Sequence, residues 1–131
     1  MFVDANIFIT ASLGRDSHSK KCREFLARVE KGEQHAITSV LVLHEVLRSI
    51  EVHTKSREKA SAKTARFASL PNLRICEVTN KHFMNSLKYF KQGLEPRDAL
   101  HVAVMLDNSV DKILSFDRDF DSVKEIKRQE P

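Results

Sequence analysis

Four short apolar runs, at residues 1–4, 35–38, 73–76 and 112–115, alternate with helical stretches and constrain this chain more than any other feature. Between them, residues 6–13 read as a short helix or turn. Asp16 or Ser17 opens a helix to about Lys31, in which Cys22, Phe25, Leu26 and Val29 recur at helical spacing. Gly32 closes it. Ser39 caps a long helix that breaks near residues 54–58, and Pro71-Asn72 makes a turn. Thr79 opens a helix to about Lys91 with Phe83, Leu87 and Phe90 on one face, expected to pack in the core. Gly93 ends it, and Pro96 fits the first turn of a helix that runs to about Asn108. Leu100 and Val104 point inward on that helix, with His101 and Met105 beside them. Residues 117–120 form a turn or short helix, and Val123 to Ile126 read as a last edge strand.

Strand–helix alternation predicts a doubly wound α/β domain. Its expected form is three α/β/α layers around a parallel sheet of four to five short strands, with residues 1–131 as one domain. Only three glycines are present and no G-x-G-x-x-G, so a dinucleotide-binding domain is excluded. No apolar run approaches the roughly 20 residues of a membrane span, and an acid at position 4 argues against a secretory leader. The expected compartment is the cytoplasm, with no membrane partner. Cys22 and Cys76 are the only cysteines, which excludes a zinc ribbon or a disulfide scaffold; both read as small buried thiols.

The formal net charge is +4, and it is unevenly placed. Residues 48–66 carry Arg48, Lys55, Arg57, Lys59, Lys63 and Arg66 against Glu51 and Glu58, so the rest of the chain is neutral. A basic arm on a neutral body suits an anionic partner such as nucleic acid. A solvated helix face explains the same charges equally well.

Open parallel sheets carry their sites at the carboxyl ends of the strands, and acids stand there. Asp4 follows the first strand, and Asp117 and Asp119 follow the fourth. Asp98 lies in the first turn of the helix leading into the fourth, and Glu45 lies in the helix after the second. Each has a structural explanation: an Asx-turn for Asp4, a helix N-terminus for Asp98, an N-cap for Asp117, and for Glu45 an ion pair with Arg48. Together they point elsewhere. Like charges in one hollow raise each other's pKa and are stable with a cation among them. All-oxygen donors suit Mg²⁺ or Mn²⁺, one ion or two. Such an ion activates water and clamps a phosphate oxygen, while the arm attracts the phosphate backbone. The combination implies metal-assisted phosphodiester hydrolysis.

Four segments carry a family resemblance over essentially the whole chain: Val3-Asp4-Ala5-Asn6-Ile7, residues 38–46 (TSVLVLHEV), residues 96–103 (PRDALHVA) and residues 113–121 (ILSFDRDFD). In series, they resemble the PIN-domain nucleases, and within them the small VapC-like toxins of toxin–antitoxin pairs. The resemblance implies a metal-dependent endoribonuclease that leaves a 5′-phosphate. Asp4, Glu45, Asp98 and Asp117 would be its catalytic acids, with Asp4, Asp98, Asp117 and Asp119 as metal ligands. Asn6, Ser39 and Ser115 would support the site; the last is a hydroxyl where the family has Thr or Ser. Lys55, Arg57, Lys59 and Lys63 are candidates to hold the RNA backbone or an acidic antitoxin tail. A homodimer and a small antitoxin protein are the implied partners. PIN domains also serve RNA processing outside toxin–antitoxin pairs, and a catalytically silent binding module is a further alternative, which the full acid set opposes.

Other doubly wound phosphate enzymes fit less well. A receiver domain needs paired acids near the first strand and a lysine after the last, and neither is in place. A haloacid-dehalogenase-type phosphatase needs D-x-D, and Asp4-Ala5-Asn6 lacks the second acid. His101 shares the helix face of Asp98 and could touch substrate or orient the site, with packing or solvent contact as its favoured role. His44 points away from Glu45's direction, and the remaining histidines show no metal-ligand spacing.

Overall fold

The computed structural model describes all residues, 1–131. Its five-stranded sheet is entirely parallel, in the order β3-β2-β1-β4-β5. The strands are β1 (Phe2–Val3), β2 (Ala36–Ser39), β3 (Leu73–Cys76), β4 (Lys112–Leu114) and β5 (Lys127–Gln129). β1 and β2 are buried along their whole length, as strands covered on both faces must be. Chain order reverses at β1, which pairs with β2 on one side and β4 on the other. That reversal opens a crevice beyond the carboxyl ends of β1 and β4.

Six helices fill the connections: α1 (Ala5–Leu13), α2 (Ser17–Glu30), α3 (Val40–Thr54), α4 (Arg57–Ala68), α5 (Asn80–Lys91) and α6 (Pro96–Asp107). Side chains close the starts of most of them, while α6 begins at Pro96. Asp16 accepts from Ser19 N, Ser39 from Val42 N and Ser56 from Lys59 N, each satisfying an orphan N–H. Gly32 (φ +76°) lies just past the end of α2, in the left-handed region that glycine enters without strain. Between α3 and α4 the same region is occupied by Lys55 (φ 53°), so the predicted break is a sharp reversal. One apolar core joins all the layers, with Phe2, Phe8, Ile50, Met105, Ile113 and Phe120 fully enclosed. Both cysteines are free and buried. No helix is long and apolar enough to cross a membrane.

Two expectations are corrected. The last strand is residues 127–129, not 123–126; a 3-10 helix over Arg118–Ser122 precedes it. Val123 and Ile126 are apolar because they anchor that irregular segment in the core. The strand itself pairs through its backbone, and Arg128 braces it to Asp121, Glu130 and the carbonyl of Ser115. The second correction concerns α5. Phe83, Leu87 and Phe90 do share a face, but it meets solvent: Phe83 and Phe90 are 54% and 53% exposed. The inward face carries His82, Ser86 and Tyr89 instead. Helical periodicity groups the apolar residues without telling what covers them.

Candidate active site

The switch-point crevice gathers the predicted acids. Asp4 leaves β1 as the N-cap of α1, with Oδ1 accepting from Ala5 N at 2.6 Å. Its Oδ2 accepts from Ser115 Oγ at 2.6 Å and Asn6 Nδ2 at 2.7 Å. Asn6 also donates to Ser115 Oγ at 2.9 Å and accepts from Phe116 N at 3.3 Å. Ser115 Oγ accepts in turn from Asp117 N at 3.0 Å. Asn6 and Ser115 thus join the loops after β1 and β4, aim the Asp4 carboxylate and hold the Asp117 backbone. Asp117 itself caps the 3-10 helix through Asp119 N. For Asp4 and Asp117, capping and site placement hold together.

Burial pushes the Asp4 carboxyl up, opposed by the hydrogen bond from Ser115 and by nearby His101. Asp98, in the first turn of α6, has no comparable brace. Burial raises its carboxyl to about 6, against the attraction of His101, and the charges of Asp4, Asp117 and Glu45 push the same way. The four predicted acids therefore act on one another across one hollow. Asp119 stands exposed and is not among the main charges acting on Asp98. No three of these side chains stand in ready-made metal-ligating geometry. The donor set still fits a hard divalent ion: every donor is oxygen, and Asp98 is a carboxylate whose ionisation a nearby cation would favour.

Glu45 has partners the sequence reading missed. Its Oε1 lies 2.8 Å from His101 Nε2, and its Oε2 accepts from Arg97 at 3.1 Å. Arg48, the expected partner, pairs with Glu51 instead. The i,i+3 spacing of Arg48 was a local signal; the true pairs reach across 52 and 56 positions of sequence. His101 thus packs in the core, as favoured, and at the same time bonds one of the candidate acids. The P-R-D-x-x-H run placing Arg97, Asp98 and His101 within about one helical turn was the available clue.

Ser39 is buried and spends its hydroxyl capping α3. The basic arm lies apart from the acids. Lys55 ends α3 ten residues beyond Glu45, roughly 15 Å along the axis at helical rise. Arg57 is ion-paired to Glu51, and Lys63 donates to the Ser12 carbonyl, pinning α4 to α1. Lys55 and Lys59 are exposed.

Comparison with known proteins agrees with this fold. The model of the PIN domain matches residues 1–126. The chain belongs to the PIN-domain family. Two curated relatives are VapC ribonuclease Mb1869c of Mycobacterium bovis and ribonuclease VapC13 of Mycobacterium tuberculosis. Each is 32% identical over 130 residues, covering 98% of both chains. They place this PIN domain among the VapC-like members. Among solved structures, VapC20 of M. tuberculosis, described as a sarcin–ricin-loop-cleaving toxin, superposes with a TM-score of 0.73 at 20% identity, covering 92% of each chain. VapBC2 of Rickettsia felis, bound to a DNA fragment from its promoter, gives 0.74 at 16% identity, covering 98% of this chain and 96% of that one. At such identities the superpositions speak for the fold, a three-layer α/β/α sandwich.

Proposed function

We propose that this VapC-like PIN domain is a Mg²⁺- or Mn²⁺-dependent endoribonuclease, the toxin of a toxin–antitoxin pair. The observation that carries the reading is the convergence of Asp4, Glu45, Asp98 and Asp117, from four separate chain segments, on the switch-point hollow. The ribonuclease names of relatives matching the whole domain support the substrate class.

Asp4, Asp98 and Asp117 would hold one ion or two, with Asp119 the outermost candidate. When bound, such an ion supplies charge stabilisation at a phosphodiester and lowers the pKa of water. The chain's own residues do the rest. Asn6 and Ser115 keep Asp4 aimed, and Glu45 would accept a proton from attacking water. Lys55 and Lys59 offer free positive charge to an RNA backbone leaving the hollow.

An antitoxin partner agrees with the VapBC complexes that share the fold. A groove of about 290 Å³ between α1, α2 and α4, lined by Leu26, Phe67 and Leu70 with Arg23, Lys63 and Arg66, suits an amphipathic acidic segment. A homodimer would cover the apolar face of α5.

The deciding experiment is cleavage of structured RNA with Mg²⁺ or Mn²⁺, with chelator, and by Asp4→Asn and Asp98→Asn. Wild type should cut only with metal, and both variants should lose activity. Equal cutting by all three proteins would reject the nuclease reading in favour of a silent module carrying a contaminant.

A further inference from the structure

We propose that His101, with Arg97, is a positioning pair that fixes the carboxylate of Glu45 within the cleavage site. The proposal rests on the nuclease reading and assigns these residues a part in it. Glu45 lies on α3 and its side chain is only 15% exposed, so its carboxylate needs partners. Both come from α6. His101 Nε2 meets Oε1 at 2.8 Å, and Arg97 donates to Oε2 at 3.1 Å. Arg97 and His101 are four residues apart, so they sit one above the other on one helix face. The turn that grips Glu45 also carries Asp98, which ties the positions of two site acids on two different helices to each other.

The ring of His101 is suited to hold rather than to move. It is 1% exposed and lies against Phe2, centroids 5.7 Å apart. Its other nitrogen, Nδ1, has no hydrogen-bond partner. A core histidine is normally satisfied on both nitrogens. This one makes a single polar contact, and that contact is Glu45; a leucine would fill the space without leaving a buried nitrogen unpaired. Arg97 complements it from the mouth of the hollow, where its side chain is 68% exposed.

A positioning role predicts a loss in turnover rather than in RNA binding. His101→Leu keeps the volume and removes the donor; it should lower kcat by roughly 10- to 100-fold, the scale of a misplaced catalytic group, with KM within about twofold. His101→Gln, which returns an N–H at similar reach, should restore most of that loss. The His101→Leu/Glu45→Gln double variant should be no slower than Glu45→Gln alone, because both changes break one unit. Thermal melts establish that each variant is folded. If His101→Leu does not fold, exposed Arg97→Gln carries the same kinetic test. Unchanged kcat in the folded variant, or losses that multiply in the double variant, would overturn the proposal. The contact also has a readout apart from activity: the imidazole N–H signal of His101 in nitrogen-15 NMR should be protected in the wild type and exposed to exchange in Glu45→Leu. An identical signal in both proteins also rejects the pairing. Wild type that shows the protected signal yet cuts no RNA counts against the nuclease reading alone.

Discussion

Ser115 Oγ donates to Asp4 Oδ2 at 2.6 Å across 111 positions of sequence, joining the ends of adjacent strands β4 and β1. Ser115 is fully buried and Asp4 nearly so. The hydroxyl offsets part of the desolvation that pushes Asp4 up. Ser115→Ala should therefore raise the Asp4 pKa further and cost about 1–3 kcal/mol of stability, the penalty for a buried polar group losing its partner. Urea denaturation measures the stability, and the acid limb of the cleavage profile should move to higher pH. A superimposable melting curve and profile would show that the bond contributes neither.

Asp98 sets a pH window of its own. Its folded-state carboxyl titrates near 6, above the ordinary 3.8. For a raised acid, the stabilising contribution is full below the unfolded value and lost as pH rises through the folded value. The metal-free protein should lose stability from about pH 4 to about pH 6, as far as Asp98 controls it. Asp98→Asn should flatten that slope and raise the metal-free melting temperature at pH 7, while abolishing cleavage. Calorimetric melts without metal at several pH values test this, and a lower melting temperature for the variant would contradict it.

The basic arm divides by structure. Lys55→Ala and Lys59→Ala should weaken RNA binding and reduce the salt slope by about 0.7 for each phosphate contact to a single strand. Arg57→Ala should change binding less, because Glu51 already takes its charge. Lys63→Ala should loosen α4 from α1. Filter binding over a salt series separates these cases; equal slopes for all four variants would remove the arm from RNA binding.

The α5 face makes a prediction about assembly. Phe83, Met84, Leu87 and Phe90 form an exposed apolar stripe, the kind of patch interaction surfaces carry, which the proposed homodimer would bury. Phe83→Glu with Phe90→Glu should convert a dimer to monomer, read by light scattering, without lowering the melting point of the monomer. A wild type that is monomeric at high concentration refutes the role of this face in self-association.

The sequence alone determined the α/β alternation, the cap at Ser39, the start of α2 at Asp16 or Ser17, and the acids at strand ends, because periodicity, capping and turn chemistry act over a few residues. It placed Asp4, Asp98 and Asp117 beside the crevice for the same reason: each stands at or within one turn of an element boundary. Tertiary structure alone decided that α5 shows its apolar stripe to solvent, that Val123 and Ile126 anchor a loop, and that Glu45 is held by Arg97 and His101 rather than Arg48. Those outcomes depend on which helix packs against which. Contacts spanning more than 50 positions leave no local period in the chain, since burial and long-range hydrogen bonding are settled by the packing of whole layers.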